Sequence, residues 1–79
     1  MERDAVVSAV QEAFERTFKK VPFSETLKKD EVKKWDSMNH VKLMMALEKK
    51  FKIRFSGVEV AALHSVGEIV KILEEKLSS

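Results

Sequence analysis

Trp35-Asp36-Ser37-Met38-Asn39-His40-Val41-Lys42-Leu43-Met44-Met45-Ala46-Leu47-Glu48-Lys49-Lys50-Phe51 is the stretch whose reading decides the fold. Met38, Val41, Met44/Met45, Leu47 and Phe51 recur at three- and four-residue steps, the period of a helix with one buried face. Asp36 and Ser37 stand just ahead of that stripe, where short polar side chains cap the first turn. The spacing therefore predicts a helix from Asp36–Ser37 to about Phe51.

Working outward, every other apolar segment repeats the pattern. Val7, Val10, Phe14 and Phe18, widened by Val6, Ala9 and Ala13, predict a first helix from Asp4 to about Phe18. Asp4 is its expected cap, and Glu2 and Asp4 suit its positive end. Ser56-Gly57-Val58-Glu59 and Ser65-Val66-Gly67-Glu68 both read S-x-x-E, the capping-box signature. They open a short third helix, 57–63, and a fourth running from Val66 to about Leu77 that buries Val66, Ile69, Val70, Leu73 and Leu77.

Between the first two helices lies a polar connection, 19–36, holding the only Pro, Pro22. Eighteen residues are long for a structureless loop in so small a chain. Leu27, Val32 and Trp35 are expected to fold back onto the core, and 28–34 to make a turn or two of helix. The fold class is thus all-α: a small bundle of three long helices and one short one, with a long first loop, filling residues 1–79 as a single domain.

Composition narrows the chemistry. The chain has 79 residues, 44% hydrophobic and 35% charged. A chain of this size buries ~60–65% of its unfolded surface, too little to wall in a deep cleft. It has no Cys, so no disulfide, no zinc knuckle and no thiol nucleophile. His40 and His64 are not at metal-ligand spacing. With two Gly, Gly57 and Gly67, there is neither a dinucleotide fingerprint nor a phosphate-cradling loop. No apolar run reaches membrane-span length, and Met1-Glu2-Arg3-Asp4 lacks the features of a signal peptide. The expectation is a cytoplasmic protein that does not engage membranes and has no catalytic residue of its own.

Net charge is +2 and the isoelectric point about 9.0. The charge is segregated. Residues 1–15 hold one basic group against four acids, residues 16–54 twelve against five, and residues 55–79 two against four. The basic middle reads either as a docking surface for acidic partners or phosphates, or as a solvated lysine-rich face. A basic nucleic-acid-binding module is the rival function. Against it, the basic residues are spread over loop and helix, interleaved with acids, and no short turn joins two long helices.

Ser37 follows an Asp with no His at triad spacing and no glycine elbow to present it. At a helix start it is exposed, beside orphan backbone N–H groups that favour phosphate. Such a hydroxyl suits modification better than catalysis, the plain alternative being that Asp36 and Ser37 only cap the helix.

Asp36-Ser37-Met38, followed by Val41, Leu43, Met45-Ala46-Leu47-Glu48 and Phe51, resembles the acyl carrier protein signature. That signature is Asp-Ser-Leu, then an amphipathic helix ending in a Glu-rich, Phe-terminated turn. The first helix, the long loop, Phe51-Lys52-Ile53-Arg54-Phe55, the short third helix and Ser65-Val66-Gly67 fall in the family's order. The likeness spans roughly residues 6–77.

The resemblance implies that Ser37 is esterified by a phosphopantetheinyl transferase using coenzyme A. The resulting 4′-phosphopantetheine arm ends in the thiol this chain lacks, and acyl or aminoacyl cargo rides on it as a thioester. It further implies a monomeric carrier serving fatty-acid or polyketide-type biosynthesis rather than an enzyme. Asp36 would belong to the transferase recognition site, with Met38 and Val41 as apolar contacts beside the arm. Asn39, Lys42 and Glu48 would complete the partner-facing helix. Met44, Met45, Leu47, Phe51, Val60, Ala61 and Leu63 would line a channel for the acyl chain between the second and third helices, or serve as ordinary core. Trp35 would be a platform beside the arm or an anchor of the loop.

The chain departs from the family where Asn39, Lys42, Lys49 and Lys50 stand in place of common acids, leaving only Glu48, with Lys52 and Arg54 extending the positive face. This argues against housekeeping fatty-acid synthesis and for loading and condensing enzymes with neutral or acidic docking surfaces. His40, expected at the surface one turn from the motif, would be placed to tune docking near neutral pH. The remaining possibility is an unmodified helical adaptor.

Overall fold

A computed structural model describes residues 2–78. Four α-helices follow one another: α1 (Arg3–Thr17), α2 (Ser37–Phe51), α3 (Gly57–Ala62) and α4 (Val66–Ser78), with one 3-10 turn (Lys29–Glu31) inside the first connection. The all-α bundle of three long helices and one short one is as expected.

α1 packs against both α2 and α4. Its face of Val6, Val10, Ala13 and Phe14 meets Leu43, Met44 and Leu47 of α2 and Val66, Ile69, Val70 and Leu73 of α4, all buried. Each such fully buried Leu, Val or Phe contributes about 1.5–3 kcal/mol of burial free energy. Phe14 and Phe18 centre an aromatic cluster. Phe14 stands 4.7 Å from Phe18, 5.5 Å from Phe23 and 5.7 Å from Trp35.

The helix ends differ in quality. Asp4 does not cap α1. The N-cap is Glu2, without a side-chain cap bond, and Asp4 lies in the first turn. There its carboxylate still faces the positive end of the helix. α2 is capped as its sequence implies, with Asp36 Oδ1 accepting from Asn39 N at 2.9 Å. The first capping box forms fully, Ser56 Oγ accepting from Glu59 N and Glu59 Oε1 from Ser56 N. In the second, Ser65 Oγ accepts from Glu68 N, but the Glu68 carboxylate takes the His64 N–H.

The long connection is ordered by backbone bonds. Lys29 N donates to His64 O at 2.7 Å and Val66 N to Leu27 O at 2.9 Å, pinning the loop to the turn before α4. Val32 and Trp35 are buried and Leu27 packs on the core. The expected fold-back is present, with helix confined to the single 3-10 turn. α3 buries none of its residues. It is slung between two buried neighbours, Phe55 and Leu63.

Candidate functional site

Ser37 is the first residue of α2 and is exposed. Among the described residues nothing bonds its hydroxyl. The residue before it, Asp36, is extended (φ −91°, ψ −178°), which turns the chain sharply into the helix and leaves Ser37 on the outside of the first turn. Asn39 steadies the approach, its Nδ2 donating to Lys34 O at 2.8 Å. Asp36 therefore has one carboxylate oxygen committed to the cap and remains exposed beside Ser37.

From Ser37 a groove of about 500 Å³ runs between α2 and α3. One wall is Val41, Met44 and Met45 of α2, the other Gly57, Val60 and Ala61 of α3. Four residues expected along such a channel, Met44, Met45, Val60 and Ala61, line it. The other three do not. Leu47 is fully buried in the core, Leu63 is buried at the end of α3, and Phe51 packs half-buried against the core. Leu47 lies on the buried face of α2 and Phe51 on its last turn, beyond the groove, while Leu63 is the residue that ends α3.

Three lining residues, Phe55, Lys29 and Gly57, escaped the sequence reading. Phe55, just after α2, forms part of the groove, with Lys76 Nζ 5.6 Å from its ring centroid. Lys29 reaches the groove from the 3-10 turn, brought there by its backbone bond to His64. Phe55 had a signal, an aromatic between two helices; Lys29 had none.

His40 is not the surface residue expected. It is 4% exposed, on the groove's inner side. The Trp35 indole N–H donates to its Nδ1 at 2.9 Å, and its Nε2 lies 2.7 Å from Val60 O. An indole nitrogen only donates, so Nδ1 is the acceptor and Nε2 carries the proton given to Val60. Burial pushes the imidazole below its ordinary value, and Lys29 and His64 add to this, while the Val60 carbonyl pulls the other way. With both nitrogens committed, the ring is not placed to act as a base toward Ser37. Trp35, 3% exposed, is an anchor of the loop rather than a platform at the surface.

Glu48 was expected among the partner-facing residues. Its carboxylate instead takes the Phe55 N–H at 2.8 Å, and its carbonyl accepts from Lys52 N and Ile53 N. One residue thus closes the exit from α2. Lys42 is exposed and Asn39 partly so; Met38 and Val41, counted on the buried stripe by their spacing, are exposed instead, because α2 turns Leu43, Met44 and Leu47 to the core.

The arrangement offers an unencumbered hydroxyl at a helix N-terminus, opening onto an apolar groove with one lysine on its lining. Among the described residues no cluster of acids, His or Cys is arranged to hold a metal, and no helix is long and apolar enough to cross a membrane. No known protein-family model matches the chain, and no curated protein matches it.

Proposed function

We propose that this chain is a carrier of the acyl carrier protein type, modified on Ser37 with a 4′-phosphopantetheine arm. The observation that carries the reading is the position of Ser37: exposed on the first turn of α2, unbonded, and at the open end of the groove between α2 and α3. The residues present suit that group. The α2 N-terminus favours a phosphodiester there, and Lys29 supplies a positive charge on the same lining. Asp36, bound to Asn39 N, holds the first turn in shape for the transferase that would deliver the arm from coenzyme A. When bound, the arm supplies a thiol on which an acyl or aminoacyl cargo is held as a thioester. Met44, Met45 and Val60 shield an apolar cargo, and the two thioethers adapt to its shape.

The test is intact mass after incubation with coenzyme A and a broad-specificity phosphopantetheinyl transferase, with Ser37→Ala in parallel. A gain of one phosphopantetheine on the wild type alone is expected. No gain with several transferases would overturn the reading.

A further inference from the structure

A second pocket, of about 520 Å³, lies under the first connection and shares no lining residue with the groove beside Ser37. Its lining is drawn from residues 20–24 and 31–34, together with Leu27. The apolar part of that lining is recessed. Val32 is buried, and Val21, Phe23 and Leu27 pack half-buried on the core, Phe23 edge-on to Phe14 at 5.5 Å. Backbone bonds pre-form the pocket: Val21 N donates to Phe18 O, Leu27 N to Ser24 O, and Leu27 O accepts from Val66 N at 2.9 Å.

Charge surrounds this apolar patch on one side only. The pairs Lys19-Lys20 and Lys33-Lys34 stand at opposite ends of the connection, and the fold returns Lys20, Lys33 and Lys34 to the one pocket, all three exposed. None of the three has a carboxylate partner among the described residues. Glu31, the one acid on the lining, holds the Lys28 N–H with Oε1 at 2.8 Å.

We propose that this pocket binds a small amphiphilic carboxylate, its aliphatic chain on Val21, Phe23, Leu27 and Val32 and its head among Lys20, Lys33 and Lys34. The volume is that of a small-molecule site, mostly apolar with a few polar groups that fix orientation. Unpaired ammonium groups beside a recessed apolar lining complement an anionic head on an apolar body, and a charge-assisted bond to the head orients it. Other occupants fit less well. A bilayer surface calls for projecting apolar side chains, and on this lining only Pro22 is both apolar and exposed. Single-stranded nucleic acid stacks on open rings, whereas Phe23 is held against Phe14. A second copy of this chain would set lysines against lysines. The site stands apart from the carrier reading, since Ser37 takes no part in it.

The experiment titrates the full chain with octanoate below its micelle concentration, with octanol and octylammonium as controls, and maps amide shifts by NMR. Octanoate should shift Val21, Phe23, Leu27 and Lys33, octanol should bind there more weakly, and octylammonium most weakly of the three. K33E/K34E should weaken octanoate about tenfold and turn the preference toward octylammonium. V21T, which exchanges one methyl for a hydroxyl, should weaken it about threefold. Both variants should keep the helical content of the parent. Shifts centred on Met44, Met45 and Ala61 would put the chain in the groove instead and overturn the proposal. So would equal binding of octylammonium, no saturable shift with octanoate, or pocket shifts seen only with phosphatidylglycerol vesicles or only with an acidic peptide. Arm attachment, followed by mass on the same samples, judges Ser37 separately: its failure would remove the carrier reading and leave the pocket standing.

Discussion

The Trp35 indole N–H donates to His40 Nδ1 at 2.9 Å, and the same imidazole reaches the Val60 carbonyl with its other nitrogen at 2.7 Å. One buried ring thus joins the long loop, α2 and α3. This bridge requires the neutral imidazole, because a proton on Nδ1 would face the indole N–H.

Stability should therefore fall with acid. The folded-state pKa of His40 lies below its ordinary value of 6.5, so the unfolded chain takes up a proton before the folded one does. Below about pH 6.5 stability should decline as pH falls, levelling only once the folded imidazole also protonates. Urea denaturation at pH 7.5 and 5.5, followed by the fluorescence of the single Trp, measures this. His40→Gln should lower stability at pH 7.5 and flatten the His-dependent slope. An unchanged slope would assign the acid sensitivity to other groups.

Glu48→Ala should cost about 1–2 kcal/mol, because the Phe55 N–H at the edge of the core loses its acceptor, the Glu48 carboxylate at 2.8 Å. Hydrogen exchange at the Phe55 amide should accelerate more than at Leu43 in α2. Glu48→Gln keeps an acceptor oxygen and should recover most of the loss.

Lys52 ends α2 in the left-handed region, at φ 56° and ψ 46°. A Cβ there is strained, whereas Gly adopts the conformation freely. Lys52→Gly should raise stability by about 0.5 kcal/mol net of the greater freedom of the unfolded chain, read as a higher Tm.

Reversing the charge of the exposed Lys42 and Lys49 on α2 should change partner use without disturbing the fold. Lys42→Glu with Lys49→Glu should improve turnover by fatty-acid enzymes that read acidic carriers. Lys50 should be left out of the swap, since a Glu there would face Glu12 and cost stability. Unchanged turnover with K42E/K49E would refute a role for these charges in partner choice.

Much of this fold was legible because helical periodicity and capping are local. Asp36, Ser56 and Glu59 cap as their spacing implies, and α1 and α4 bury most of the stripe the pattern puts there, Leu77 staying half-buried. α2 is turned from its expected face: it buries His40, Leu43, Met44 and Leu47 and leaves Met38, Val41 and Met45 exposed. Asp4 did not cap because the cap position falls two residues earlier, at Glu2, a shift that one exposed turn hardly resists. Ser37 was legible as an exposed first-turn hydroxyl. The groove beside it was only half legible: residues on the right helices were named, but Leu47, Phe51 and Leu63 face the core, and which side of a short helix faces its neighbour depends on packing. His40 was readable in principle, since it shares a stripe with Leu43, Met44 and Leu47, yet a titratable side chain draws attention outward. Lys29 was not readable at all, because a backbone pairing distant in sequence places it.

α3 is tied to the bundle by two polar contacts, Glu59 to Lys76 at 3.0 Å and His40 to Val60, with Val60 half-buried against the core. With none of its own residues buried, this wall of the groove is held more like a strap between two pegs, Phe55 and Leu63, than like a layer of the core. It should swing aside at a free energy well below that of global unfolding. The groove would then admit contents of differing bulk by moving one short helix, while the packed faces of α1, α2 and α4 stay fixed.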